Sequence, residues 1–137
     1  MSPGADRPDR GDRAEKHNAA ATAASARRGA EAALRPVLVS IAAPDGETAA
    51  RLARRLVEER LAACVQIVDP IRSVYRWQDA VQEETEVLLL AKSSGDLVPR
   101  IDELLHREHP YELPELAAVP IQAGSPAYLS WLQQCLQ

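Results

Sequence analysis

At 137 residues, 46% of them hydrophobic, the chain is long enough for one packed domain and too short for two of ordinary size. No stretch approaches the roughly 18 uncharged apolar residues of a membrane span, so no membrane partner is expected. The net charge of −4 gives no footprint for nucleic acid, and two cysteines without a CxxC or Cys/His cluster argue against a disulfide scaffold or structural zinc and fit a reducing, cytoplasmic setting.

Residues 1–35 hold seven of the sixteen Lys/Arg and five of the twenty Asp/Glu, so the remainder carries a formal −6. Met1 to Ala33 contains no Leu, Ile, Val or aromatic residue. It therefore reads as a disordered leader over 1–35, with no apolar signal core, ahead of one domain over 36–137.

From Pro36 the periods alternate. Val37 to Ala42 is a short apolar run suited to a buried strand. Pro44-Asp45-Gly46 breaks it, and Asp45 can cap a helix to about Arg60 with Ala49, Leu52, Ala53 and Leu56 on one face. Its arginines read as a solvated face with i,i+4 ion pairs. Ala63 to Val68 reads as a strand that breaks at Asp69-Pro70, and Ile71 to Trp77 resumes strand character with Tyr75 and Trp77 on one face. Gln78-Asp79-Ala80 is a hairpin turn. A long strand from Val81 to Lys92 follows, apolar on both faces near its end, so both are expected to be covered there.

Ser94-Gly95-Asp96 offers caps for a second helix carrying Leu97, Ile101, Leu104 and Leu105. That helix must stop at His109-Pro110, because the proline ring removes a backbone donor and disfavours helix at the preceding residue. A strand of about Glu115 to Ile121 comes next. Ser125-Pro126 then starts a last helix with Leu129, Leu132 and Leu136. The order is βαββαβ plus one terminal helix, an α+β, ferredoxin-like arrangement with two helices on one face of an antiparallel sheet. Its hairpin is overlong. Strands that outrun their sheet leave unpaired edges, which predicts an oligomer built by sharing sheet.

Five blocks resemble the CutA divalent-cation tolerance family: Leu61 to Ile67, Tyr75 with Trp77, Glu86 through Lys92, His109-Pro110-Tyr111 through Leu116, and Tyr128 to Leu132. The resemblance runs from Pro36 to the C-terminus and implies a homotrimer in which neighbouring hairpins extend each other's sheets. It also implies kinship of fold with PII-type signalling trimers, which hold small effectors between subunits. Members are linked to tolerance of copper and similar ions, and no reaction is established for them. The resemblance therefore implies a non-enzymatic protein with no firm cofactor beyond a divalent cation such as copper.

The family's metal ligands are a cysteine in the first strand and two successive histidines before Pro-Tyr. Here Ile41 and Glu108 replace two of the three, and His109 alone remains as a metal candidate, the other reading being a helix-end histidine without an ion. Lys92 ends an apolar strand, where a lone ammonium is costly unless paired. Tyr75, Trp77, Glu86 and Glu115 are the family-matched groups that would surround it across a subunit boundary. They would form either a cleft for a small anionic or zwitterionic ligand or an ion pair that fixes the trimer. Cys64, among apolar neighbours, reads as an inert buried thiol, and Tyr128 and Trp131 read as packing. An enzyme using Lys92 with Glu86 or Glu115 lacks any supporting nucleophile or phosphate motif. A base-stacking nucleic-acid module is disfavoured by the acidic domain and the absence of Phe.

Overall fold

The computed structural model describes residues 34–137; the leader, Leu34 and Arg35 apart, lies outside the described residues. The elements are β1 (Pro36–Ala43), α1 (Gly46–Glu58), β2 (Cys64–Trp77), β3 (Ala80–Ser94), α2 (Val98–Glu108), β4 (Ala117–Pro120) and α3 (Pro126–Cys135). The strands form one antiparallel sheet in the order β2-β3-β1-β4. This is the expected α+β topology.

Alternation decides which face is covered. Val37, Val39, Ile41 and Ala43 of β1 and Val87, Leu89 and Ala91 of β3 are buried with Ala49, Leu52 and Leu56 of α1 and Ile101, Leu104 and Leu105 of α2. Ile41, standing where the resemblance expects a cysteine, is fully buried in that core. Leu88 and Leu90 point the other way and are less well covered.

Local signals are met at both capped helices. The Asp45 carboxylate accepts from the Thr48 amide at 2.7 Å, and Ser125 accepts from Tyr128 at 3.4 Å with Pro126 in the first turn. At α2 a 3₁₀ turn over Gly95–Leu97 intervenes, because the Ser94 hydroxyl is used by the Arg35 amide and by Asp96 rather than as a cap.

The expected break at Asp69-Pro70 is corrected. β2 runs through it as one strand with a register shift between Val68 and Ile71. Proline is tolerated there because β2 is an edge strand and the irregularity needs no ladder donor. The final strand is shorter than expected, Ala117–Pro120 rather than 115–121, and pairs only with β1.

The hairpin overruns the sheet. β1 ends opposite Val87, so Ala80 to Glu86 pair with β2 alone, a two-stranded ribbon about 20 Å long. It closes through Gln78 (φ 49°) and Asp79 (φ 63°), both left-handed as a two-residue type I′ turn demands. Val74 and Val81 near its tip are each 66% exposed.

Candidate functional site

The register that builds the ribbon also builds a groove. Tyr75 lies opposite Gln82 and Ser73 opposite Glu84, so these side chains share a face with Trp77 and Glu86. The corner after α2 folds back over that face. Together they line a groove of about 990 Å³ that holds Tyr75, Trp77, Glu84 and Glu86 from the hairpin and Tyr111 and Glu115 from the corner.

His109 positions the corner. It is buried, its Nε2–H donates to the Ala42 carbonyl at 2.7 Å, and its Nδ1 accepts from the Tyr111 amide at 3.1 Å. An amide can only donate, so Nδ1 must be the bare nitrogen and the ring is the neutral Nε2–H tautomer. Its ring also rests on that of Tyr111, centroids 4.7 Å apart. Both nitrogens are thus committed, and an ion at either would displace a hydrogen bond. The histidine read as a metal candidate is a structural pin.

Tyr111 carries the pin's effect into the groove. Its hydroxyl donates to Glu86 Oε2 at 2.8 Å. Burial, then the bonded Glu86 carboxylate, pushes its phenol above the ordinary tyrosine range. Tyr75 is raised likewise, chiefly by its hydrogen bond to Glu84. Glu115 accepts from the Ser40 hydroxyl at 2.8 Å, which ties the corner to β1.

Glu108, which replaces a family histidine, faces α1 instead. Its carboxylate accepts from Arg55 Nε at 3.0 and 3.3 Å, and Arg51 donates to its carbonyl at 3.2 Å, capping the end of α2. Arg55 also pairs with Glu59 at 2.9 Å and Arg54 with Glu58 at 3.7 Å, the i,i+4 pairs expected.

Of the five cleft residues named from sequence, Tyr75, Trp77, Glu86 and Glu115 meet at the groove, whereas Lys92 does not line it. Lys92 shares a face with Glu86 but lies six residues along β3, roughly 20 Å away, and its ammonium hydrogen-bonds Gln66. The cation expected at the centre of the cleft is absent from it, and Arg76 is the sole basic residue of the lining. Sequence reasoning missed Glu84 and Tyr111 as site residues. Glu84 was signalled by its spacing of two from Glu86, whereas the return of Tyr111 to the hairpin has no local signal. Among the described residues no three of His, Cys, Asp and Glu gather closely enough to hold a metal ion. Cys64 and Cys135 are free and half-buried, and burial raises the Cys135 thiol. Tyr128 and Trp131 pack on each other with centroids 5.6 Å apart.

The profile described as CutA1 divalent ion tolerance protein matches residues 37–135. The chain belongs to that family. A Thermus thermophilus relative, named divalent-cation tolerance protein CutA, is 46% identical over 97 residues, covering 71% of this chain and 94% of its own length. Its crystallographic counterpart from the same organism superposes with a TM-score of 0.69 over 71% of this chain and 94% of that one. The crystal structure of CutA1 from Oryza sativa gives 0.73 at 38% identity, over 76% and 95%. Mouse CutA is 40% identical over 94 residues, 69% of this chain and 53% of its own, so the chain spans about half of that relative. Among the described residues, no helix is long and apolar enough to cross a membrane.

Proposed function

We propose that this CutA family member is a cytoplasmic homotrimer that serves divalent-cation tolerance through weak binding of a cation or small ligand in the hairpin groove, by binding rather than by catalysis. The observation that carries the binding reading is the charge of the groove: Glu84, Glu86, Glu112 and Glu115 against Arg76 alone. Such a wall attracts cations and repels the anionic ligand that a central lysine would have suited. The binding residues proposed are Tyr75, Trp77, Glu86 and Glu115, joined by Glu84 and Tyr111. Lys92 is left out for its distance and His109 for its committed nitrogens.

The trimer reading rests on the ribbon. An edge strand that presents Val74, Trp77 and Val81 to solvent, beyond the last β1 partner, suits pairing with a second chain. Sedimentation of the purified chain is expected to give a trimer, and a stable monomer would refute the shared-sheet argument. The cytoplasmic placement follows from two free thiols.

Isothermal titration with copper(II) tests the metal part. Saturable binding, weakened by Glu86→Gln and indifferent to His109→Gln, is the expected result. No heat at about millimolar ion would remove copper from the reading. The second reading is a PII-like trimer that binds a small molecule with no metal role, favoured by the aromatic lining and the size of the groove.

A further inference from the structure

Glu86 is the residue in this chain whose charge is least accounted for. It is 6% exposed, and its one hydrogen bond is the Tyr111 hydroxyl on Oε2. Among the described residues no Lys, Arg or His forms an ion pair with it, whereas the more exposed Glu58, Glu59, Glu83 and Glu108 each have an arginine. A buried carboxylate is costly unless a cation or several donors compensate it. The fold places it on the groove wall, where a cation from outside the chain can reach it.

The shape of that wall discriminates between cations. A bare divalent ion needs several oxygens converging at about 2.0 to 2.6 Å. The groove's carboxylates are already turned to phenol and hydroxyl donors, Glu86 to Tyr111, Glu84 to Tyr75 and Glu115 to Ser40. What the groove offers in place of convergent oxygens is the rings of Tyr75, Trp77 and Tyr111 beside one uncompensated negative charge. Aromatic faces attract diffuse, weakly hydrated cations and reward those bulky enough to touch more than one ring. At about 990 Å³ the groove has room for such a molecule.

We propose that the groove binds a small organic ammonium ion, with Glu86 as its counter-ion and Tyr75, Trp77 and Tyr111 as its aromatic wall. This rests on the reading of the groove as the binding site and names the ligand class. Tyr111 acts as the orienting residue, holding Glu86 with the hydroxyl and presenting its ring beside it.

The test is a titration of the purified full chain with tetramethylammonium chloride, against sodium chloride at matched ionic strength, followed by calorimetry and tryptophan fluorescence. Copper(II) is titrated separately on the same sample. Saturable binding specific to tetramethylammonium is expected, with affinity falling about tenfold or more in Glu86→Gln and several-fold in Trp77→Leu. Should Glu86→Gln fail to fold, Trp77→Leu carries the test, since that side chain is 38% exposed and outside the core. No saturation by about 100 mM tetramethylammonium would overturn the proposal. If copper(II) still bound in a Glu86-dependent way, the groove would stand as the site and only the ligand class would fall; if copper(II) also failed, both readings would fall. Binding unchanged in the folded variants would overturn it equally, by placing the ammonium elsewhere.

Discussion

Truncating His109 is the most direct way to ask whether the corner after α2 is pinned or merely follows the chain. His109→Ala strands the Ala42 carbonyl, bonded at 2.7 Å, and the Tyr111 amide, bonded at 3.1 Å. A buried polar group left without a partner costs about 1 to 3 kcal/mol. The vacated space adjoins the groove and water can enter it, so the low end applies, about 1 kcal/mol for each group. Loss of the tilted ring contact with Tyr111 adds about 0.5 to 1.5 kcal/mol. The total is about 3 kcal/mol, a large share of an ordinary domain's stability. Urea unfolding at fixed chain concentration, which holds any association constant, would read it as a shift in midpoint with little change in slope. His109→Gln, whose amide can donate to Ala42, should recover part of the loss. A change below about 0.5 kcal/mol in His109→Ala would refute the pin, because that is what a surface substitution costs.

Other outcomes follow from the same geometry. Tyr111 binds its proton more tightly folded than unfolded, so its contribution is intact below the ordinary tyrosine value near 10 and is lost as pH rises beyond it; Tyr111→Phe should flatten the alkaline limb of a melting-temperature profile. Asp45 is shifted the opposite way, lowered by the Thr48 amide, so its contribution is present above the ordinary carboxyl range and lost on acidification; Asp45→Asn should flatten the acid limb of the same profile. Asp79 holds φ at 63°, so Asp79→Gly should raise the urea midpoint by about 0.5 to 1 kcal/mol of stability, and Asp79→Val should lower it by about 1 to 2 kcal/mol. Glu108→Ala removes a half-exposed pair with Arg55 and should cost no more than about 1 kcal/mol in the same assay.

Much of this fold is legible because its signals are local. Asp45 caps the helix it announces, Ser125-Pro126 opens the last one, and alternation along β1 and β3 assigns the core. Pro70 misled because a proline breaks a central strand but not an edge strand, and the edge is known only once all strands are ordered. The site was legible in its hairpin half, where Tyr75, Trp77 and Glu86 share a face by period-two spacing. Its other half depends on a corner that returns across the sheet, held by His109 to Ala42 over 67 positions and by Glu115 to Ser40 over 75. No local pattern encodes such closures. Lys92 was misplaced for a related reason: parity puts it on the face of Glu86, but strand rise carries it beyond reach.

Core and groove are therefore set by one register. Val87, Leu89 and Ala91 fill the space under α1 and α2 because they alternate with Glu86, Leu88 and Leu90. Moving β3 by a single residue would send Glu86 into the core and Val87 onto the groove wall, exchanging a buried valine for an unpaired charge. The Ala43–Val87 pairing fixes both assignments at once, at the point where β1 ends and the ribbon leaves the sheet. An acidic group at that boundary is half-sheltered by the fold and still faces outward. A residue one turn of the pleat deeper, such as Leu88, has β1 beside it and lies off the groove wall; one turn nearer the tip, Glu84 is exposed. The burial that makes Glu86 costly to the fold is the same burial that would make it effective towards a cationic ligand, because attraction between charges strengthens as water is withdrawn.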